Sequence, residues 1–408
     1  MATPSSSTSG AGDPTTTSSV LPNRLMSLDA YRGLAMFLMV AEVLHLCRVA
    51  EHFRDSRVWE FLCFHQSHVA WIGCSIHDMI QPSFSFMVGA ALPFSIASRR
   101  ARGQSSAAMI AHAFFRAAVL ILLGIFLRSL RRDQTYFTFE DTLTQIGLGY
   151  GFLFCIGLRS CREAWIALAV ILVGYWLAFA AYPVPMILDP DRVGEPFGWP
   201  HWMTGLEAHW NKNVNLAADF ERWFLNLFPR ESSFDHNGGG YVTLSFIPTL
   251  GTMILGLIAG RWLRSDRPAA AKVGLLVGGG AVLVAVGAAL GYLHICPIVK
   301  RIWTPSFALY SVGFCFWILA VMYLVIDVAR FRAWAFPLVV IGMNSIAIYV
   351  MSWTIEGFVH DAWHRHLSEK VFKIFGEPYE PLVGGSLVII TFWLILYWMY
   401  RRRLFLRI

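Results

Sequence analysis

Charge is what this sequence lacks most. Asp, Glu, Lys and Arg make up only 14% of its 408 residues, whereas an ordinary soluble domain has about 25%. A soluble protein so poor in charge could not cover its surface, so soluble enzymes, disordered proteins and nucleic-acid binders are excluded. Hydrophobic residues reach 56%, and several apolar runs exceed about 18 residues, the length that indicates a membrane-spanning helix. The sequence therefore predicts an all-α, polytopic integral membrane protein.

The sequence motifs of several enzyme and transporter classes are also missing. The chain has no Walker motif, no dinucleotide fingerprint, no G-x-S-x-G elbow and no H-E-x-x-H pair. ATP-driven transport and soluble-type hydrolase mechanisms therefore have no support. No internal repeat stands out, which removes support for a transporter built from inverted repeats.

The seven cysteines lack the spacing of a metal site. Cys47, Cys155 and Cys315 fall in apolar runs, where packing is the expected role. Cys63 and Cys74 flank one loop and are able to pair if that loop faces an oxidising compartment. We therefore predict no metal centre and leave a Cys63–Cys74 disulfide open.

About ten transmembrane helices are predicted from the apolar segments. They lie near 31–49, 76–98, 109–130, 141–158, 163–182, 241–263, 272–293, 305–327, 334–353 and 383–400. Residues 1–22, rich in Ser, Thr, Pro and Gly, are predicted to be a disordered tail, and residues 23–408 a single transmembrane domain. The connection at about 183–240 is too polar to span, and we expect an extended outer loop there.

Basic residues cluster in alternate connections, which sets the predicted orientation. The clusters lie near 99–102, 159–162, 261–272, 330–332 and 401–407. Because Lys and Arg collect in cytoplasmic loops and the number of spans is even, both termini are predicted to be cytoplasmic. The net charge of +7 is then mainly a consequence of orientation. Arg128, Arg131 and Arg132 contradict the rule; either they bind an anion or the third span is misplaced.

The densest titratable stretch near a predicted membrane boundary runs from His65 to Asp78. A histidine is able to act as a nucleophile or a general base near neutral pH, and a nearby carboxylate orients its ring. Asp78 follows His68 by ten residues, so a loop-to-helix turn would let them meet. This predicts a catalytic pair. The alternative is an interfacial histidine satisfied by water.

Each charged residue within a predicted span is expected to have a structural or functional role, because a charge inside a membrane is costly. Asp29 and Arg32 are three residues apart on one helix face, which suits an internal ion pair or an Arg32 contact to a cofactor phosphate. Glu42 is predicted to face the bundle interior, as a proton carrier, a hydrogen-bond acceptor or a structural group. Arg116 needs a partner or a path to the cytoplasmic interface.

Two further sets of polar residues, in the C-terminal part of the chain, are candidates for helix contacts or metal binding. Asn344 and Ser345 lie in the ninth predicted span, where small polar residues often make helix–helix contacts. His360, His364 and His366 have spacings compatible with a metal, but no Cys or carboxylate set supports ligation.

Several short elements, taken together in order, resemble the heparan-α-glucosaminide N-acetyltransferase-like family of transmembrane acyltransferases. The resemblance runs from about residue 24 to the C-terminus. Its elements are Ser27-Leu28-Asp29 with Arg32-Gly33, His68 with Trp71, Gly73 and Asp78, Gln145-Ile146-Gly147, Pro248 with Thr252 and Gly256, Lys300 with Trp303-Thr304-Pro305, and Gly342-Met343-Asn344-Ser345.

The resemblance implies an acetyl transfer across the membrane. Acetyl-CoA would be supplied from the cytoplasmic side, and an amino sugar or envelope glycan would accept the acetyl group on the outer side. His68 and Asp78 match the family's catalytic histidine and the acid that follows it, whereas Arg32, Lys300 and Asn344 would contact the CoA. An acetyl-histidine intermediate and a base-assisted direct transfer are both compatible with this pattern.

The chain departs from the family around the acceptor side. It has Trp71-Ile72-Gly73 where other members often have Trp-Asn-Gly, and His77 before the acid. The acceptor identity therefore stays open. The tryptophans of the outer loop, among them Trp199 and Trp223, suit either sugar stacking or a structural lid.

Alternative functions for the whole chain are a small-solute transporter and a catalytically silent membrane scaffold. The expected partners are the lipid bilayer and a carbohydrate or amino-sugar acceptor, without nucleic acid, and a homodimer is left open. The expected location is a bacterial cytoplasmic membrane.

Overall fold

The computed structural model describes residues 25–185 and 189–406, and the regular secondary structure of this part of the chain is helical. The predicted disordered tail at 1–22 lies outside the described residues. The helices are α1 Met26–Val40, α2 Leu46–Ala50, α3 Arg57–Gln66, α4 Ile80–Ala101, α5 Ser106–Ser129, α6 Thr142–Gly157, α7 Cys161–Ala180, α8 Pro190–Val193, α9 Leu216–Leu225, α10 Phe246–Arg264, α11 Ala269–Tyr292, α12 Pro305–Met322, α13 Phe336–Met343, α14 Ser345–Thr354, α15 Glu356–His366, α16 Glu369–Phe372 and α17 Glu380–Arg401.

Seven helical segments of the described chain are long and apolar enough to cross a membrane, or eight if one bent pair counts as a span. The seven are His77–Ala101, Ser106–Ser129, Cys161–Ala180, Thr243–Arg264, Ala269–Tyr292, Pro305–Val328 and Glu377–Arg401. The protein is therefore an integral membrane protein, as predicted, but the predicted count of about ten spans is not confirmed.

The difference arises where an apolar run is not one continuous helix. The first predicted span, 31–49, is interrupted by a 3-10 turn at Ala41–Leu44 and by the left-handed backbone of His45, with φ of 48°. The fourth forms the 16-residue α6 only. The ninth is bent by 67° between α13 and α14. A count of apolar residues does not register such breaks, because it sums side-chain hydrophobicity and ignores backbone direction.

Helix α10 lies at the centre of the bundle, and every residue from Pro248 to Gly260 is buried. It packs against α4 through glycines that allow the two backbones to touch. A Cβ at Gly256 would lie 2.0 Å from the carbonyl oxygen of Phe86, and one at Gly89 would lie 1.9 Å from that of Met253. Close backbone approach through small residues is a common basis of helix packing in membranes. This contact fixes α4, which directly follows the turn that carries Asp78.

The long connection that follows α7 folds into a packed cover. Trp210 is fully buried, and its carbonyl oxygen accepts a hydrogen bond of 3.1 Å from Trp71 Nε1. Trp210 also stacks on Phe179, with 6.2 Å between the ring centroids. Trp223, in contrast, is 60% exposed. Trp210 therefore acts as part of a structural cover over the segment that carries His68.

One disulfide is present, and it differs from the pair considered above. Cys47 on α2 is joined to Cys63 on α3, whereas Cys74 is a free thiol. The chain reverses between the two short helices and brings their Cα atoms within 4.5 Å. A Cys63–Cys74 disulfide is therefore wrong. The packing role expected for Cys47 inside a span is also wrong, because the helix of the first apolar run ends before this residue.

Candidate active site

His68 and Asp78 form a direct contact at the start of α4. After α3 ends at Gln66, an irregular loop leads through a 3-10 turn, His77–Met79, into α4. This turn brings the two side chains together, with 2.8 Å between His68 Nδ1 and Asp78 Oδ1. The approach expected from their ten-residue separation is therefore present.

The second oxygen of Asp78 is held by backbone amides. Asp78 Oδ2 accepts hydrogen bonds from the backbone N–H groups of Val69, at 3.2 Å, and Ser75, at 3.0 Å. The carboxylate acts as an acceptor throughout, and its side chain is only 1% exposed. His68 Nδ1 therefore donates the proton in their hydrogen bond. This tautomer leaves Nε2 unprotonated.

Lys300 completes this group, although the resemblance implied that it contacts CoA. Its Nζ lies 3.4 Å from Asp78 Oδ1, 3.0 Å from His68 Nδ1 and 3.4 Å from His68 Nε2. Burial lowers the pKa of Lys300 to about 8. Lys300 is 232 residues from His68 in the chain. The structure thus places Lys300 beside the His68–Asp78 pair, and no local pattern could have indicated this position.

The loop that carries Lys300 is attached to the loop that carries His68. Ile72 and Val299 form an isolated antiparallel bridge, and the Gly73 N–H donates to the carbonyl oxygen of Ile298 at 2.9 Å. Arg301 adds a further link, because its Nη2 donates to the carbonyl oxygen of Val69 at 3.2 Å. These contacts hold the histidine, the carboxylate and the ammonium in one rigid arrangement.

The surroundings of His68 favour its neutral form. Burial lowers the pKa of His68, and the charges of Lys300 and Arg301 lower it further, while the hydrogen bond to Asp78 acts in the opposite direction. The His77 ring lies 4.3 Å from the His68 ring. A neutral imidazole with an unprotonated Nε2 is the form that serves as a nucleophile or a general base.

His68 opens into a cavity of about 770 Å³, which we call the histidine cavity. Its wall includes Glu42, as expected for a residue facing the bundle interior, and residues that sequence reasoning missed. The missed residues are Glu140, Asn237, Gly239, Tyr241 and Glu356. The run Asn237-Gly238-Gly239-Gly240 was the available signal, because a glycine-rich turn allows a close backbone approach. None of Trp199, Trp202, Trp210 and Trp223 belongs to this wall.

The arginines that contradicted the positive-inside rule lie at the same end of the bundle as His68. Arg128 and Arg131 line the histidine cavity. Arg128 Nη2 lies 3.8 Å from Glu140 Oε1, and its guanidinium lies over the ring of Trp353 at 4.9 Å. Arg132 lies over the ring of Tyr136 at 4.6 Å. These partners stabilise the positive charges at this end.

A second cavity of about 650 Å³, the arginine cavity, is lined by basic side chains. They are Arg32, Arg99, Arg102, His112 and Arg116, and the described wall contains no acidic residue. Arg116 Nη1 donates to the Tyr150 hydroxyl at 2.8 Å, and its buried Nε has no hydrogen-bond partner among the described residues. Arg32 Nη1 lies 3.7 Å from Asp29 Oδ1, so the predicted intrahelical pair is present beside the cavity.

Asn344 does not line either cavity. Its side chain donates to the carbonyl oxygen of Leu404 at 3.0 Å and accepts from the N–H of Leu406 at 3.1 Å. Its neighbours Met343 and Ser345 line the arginine cavity. Asn344 therefore positions the chain around the cavity at the bend between α13 and α14.

The C-terminal histidines make packing contacts. The His360 and His364 rings lie 4.5 Å apart, and His364 stacks on Phe372 with 3.9 Å between the ring centroids. Among the described residues no group of three or more His, Cys, Asp or Glu side chains is arranged to hold a metal ion.

The two cavities extend toward opposite ends of the same helices, and their walls approach each other in between. On α4, Gln81 lines the histidine cavity and Arg99 the arginine cavity; these positions are 18 residues apart, or about 27 Å along a helix. On α5, Arg128 and Arg116 show the same division. The distance compares with a bilayer hydrocarbon core of about 30 Å. The bundle therefore carries a basic cavity at one end and a His–Asp–Lys group at the other.

No family model matches the chain, but two curated proteins resemble most of it. The chain is 25% identical over 432 aligned positions to the heparan-alpha-glucosaminide N-acetyltransferase of Homo sapiens, and 26% identical over 433 to that of Mus musculus. The alignments cover 96% and 95% of this chain but 61% of each relative. The chain thus spans about three fifths of the length of the relatives it matches, and a family-level relationship is confirmed.

Proposed function

From this family-level relationship to the heparan-α-glucosaminide N-acetyltransferases, we propose that the chain is a membrane acetyltransferase. It moves an acetyl group from acetyl-CoA on one side to an amino sugar or envelope glycan on the other. The observation that carries the proposal is the pairing of a basic cavity at one end of the bundle with His68, Asp78 and Lys300 at the other.

The arginine cavity suits the charged part of the donor. CoA carries phosphate groups, and guanidinium groups bind phosphate through paired, charge-assisted hydrogen bonds. Arg32, Arg99, Arg102 and Arg116 line this cavity together. Arg116 contributes its guanidinium charge there, and its hydrogen bond to the Tyr150 hydroxyl fixes the side chain beside the cavity. The pantetheine arm then extends toward the histidine cavity.

His68 supplies the reactive nitrogen. In one route its Nε2 attacks the thioester carbon, the C–S bond breaks, and the acceptor amine later displaces the imidazole. In the other, Nε2 takes a proton from the acceptor as that acceptor attacks the thioester directly. The net change is the same in both routes: the thioester C–S bond breaks, a bond from the acceptor to the acetyl carbon forms, and the acceptor proton passes through His68 to the CoA thiolate. Asp78 keeps the required tautomer, and the Lys300 ammonium beside Nε2 stabilises the developing oxyanion.

The proposed orientation follows from charge and from redox chemistry. The basic connections and both termini lie on the cytoplasmic side, where acetyl-CoA is supplied. The Cys47–Cys63 disulfide belongs to the end of the molecule that carries His68, and disulfides persist in oxidising compartments. The acceptor therefore lies outside the cytoplasm, across a bacterial cytoplasmic membrane.

The test uses purified protein, labelled acetyl-CoA and a panel of glucosamine derivatives. We expect acetyl transfer by the wild type and its loss in His68→Gln. His236→Gln is the matched control, because His236 also pairs with a carboxylate, Asp235, at 2.8 Å, outside both cavities. Turnover that persists unchanged in His68→Gln would contradict the assignment. Mass spectrometry without acceptor separates the routes, since only the covalent one leaves an acetyl group on the wild-type chain.

A further inference from the structure

The two cavities meet at one place. Of the described residues, only Thr142 and Tyr349 belong to both walls. The two walls also come close together along α1, where Met36 lines the arginine cavity and Met39 lines the histidine cavity. Three residues of helix span about 4.5 Å. The cavities are therefore separated by little more than the side chains of Thr142 and Tyr349.

The Thr142 side of this boundary is the fixed first turn of α6. Asp141 caps the helix, and its Oδ1 accepts from the N–H groups of Leu143, at 2.9 Å, and Thr144, at 3.2 Å. Capping by a side-chain carboxylate satisfies amide groups that have no partner within the helix. The position of Thr142 is thus determined by its cap.

The Tyr349 side is held by the bend in the neighbouring span. Tyr349 lies on α14, after the 67° break at Asn344, and it is 8% exposed. Asn344 anchors the break through its hydrogen bonds to Leu404 and Leu406. A straight span would present a different residue at this level of the bundle. The broken helix is therefore what places the Tyr349 ring between the cavities.

We propose that the Thr142–Tyr349 boundary is the passage for the acyl-bearing arm of the donor, and that the Tyr349 ring limits the size of the acyl group that reaches His68. This inference rests on the proposed function. A donor whose phosphates occupy the arginine cavity must bring its thioester past these two side chains. The packed ring then leaves room for a small acyl group. Apolar pockets typically discriminate one methylene by about 10- to 200-fold.

Donor chain length is the variable that tests this inference. For wild type, Tyr349→Ala and Tyr349→Phe, transfer is measured with acetyl-CoA and butyryl-CoA. Removal of the ring should raise the butyryl-to-acetyl ratio of kcat/KM at least tenfold, because it leaves space for the longer chain. Tyr349→Phe is the matched control; it keeps the ring and should keep the wild-type ratio. Equal ratios in the Ala and Phe variants would overturn the inference.

Thr142→Trp tests the other side of the proposed passage. It still tests the inference if Tyr349→Ala fails to fold. This variant should lose acetyl transfer at least tenfold while CoA still raises its melting temperature, because the arginines are untouched. Wild-type transfer by Thr142→Trp would overturn the proposed passage. A wild-type protein without acetyl transfer would instead contradict the proposed function, so the two failures are distinguishable.

Discussion

Replacing Lys300 by Met separates two roles for this residue. The family resemblance implied a contact to CoA, whereas the structure places its Nζ 3.4 Å from both His68 Nε2 and Asp78 Oδ1. If Lys300 stabilises the oxyanion, its loss should lower kcat by about 100- to 1,000-fold, as the removal of one oxyanion donor does elsewhere. The KM for acetyl-CoA should change little, because the arginines proposed to hold its phosphates lie at the far end of the bundle.

The pH profile of the same variant gives an independent readout. Wild-type activity should fall as the pH rises through about 8, where Lys300 loses its proton. The Lys300→Met protein should lack this alkaline limb. The Lys300 charge also lowers the pKa of His68, so its removal should raise that pKa and move the acid limb to higher pH. Initial rates from pH 5 to 10 measure both limbs.

Lys212→Met controls for the general cost of breaking a buried ion pair. The Lys212 side chain is 4% exposed and paired with Glu195, while that of Lys300 is 5% exposed. Removal of one partner of such a pair typically costs about 3–5 kcal/mol of stability. Both variants should melt earlier, but only Lys300→Met should change the pH profile. A wild-type kcat in Lys300→Met, or a raised KM for acetyl-CoA with kcat retained, would refute the reasoning.

Three other substitutions have defined outcomes. Asp78→Asn should lower kcat about 10- to 150-fold, since a hydrogen bond to a charged group contributes about 1.5–3 kcal/mol. Unchanged turnover of this variant in the transfer assay would contradict the view that Asp78 orients the His68 ring. Arg116→Gln should raise the KM for acetyl-CoA about tenfold or more with a near-normal kcat, and an unaltered KM would remove it from the donor site. Cys47→Ser should leave Cys63 as a free thiol that reacts with maleimide. It should also lower the free energy of unfolding by about 3 kcal/mol, because the disulfide closes a loop between residues 16 apart. No change in labelling or in unfolding would contradict a role for the disulfide in stability.

Local sequence was sufficient for the features that depend on nearby residues. The scarcity of charge established a membrane protein, because a bilayer replaces the polar surface that a soluble fold needs. The meeting of His68 and Asp78 also followed from a short separation, since one loop-to-helix turn closes a distance of ten residues. The resemblance to a family of acyltransferases depended on an ordered set of local motifs, and the two curated relatives bear it out.

The bounds of the membrane-spanning helices and the disulfide pairing were harder to predict from sequence, because they depend on where the backbone changes direction. The break at His45 ends the first apolar run early, and the reversal after it brings Cys47 to Cys63. The bend at Asn344 divides another run. Hydrophobicity reports the environment of a side chain and carries no record of such turns.

Contacts between distant parts of the chain were decided by tertiary structure alone. Lys300 reaches His68 across 232 residues, and Tyr349 and Thr142 both line the boundary between the cavities. The Lys300–His68 contact arises because the loops around Ile72 and Val299 are joined, and the close packing of α4 against α10 fixes the helix that follows Asp78. Sequence alone was enough to identify a charge-poor membrane protein and a His–Asp pair. Helix packing then determined which cation lies beside that pair and which residues separate it from the basic cavity, since these positions depend on backbones that approach one another only in the folded bundle.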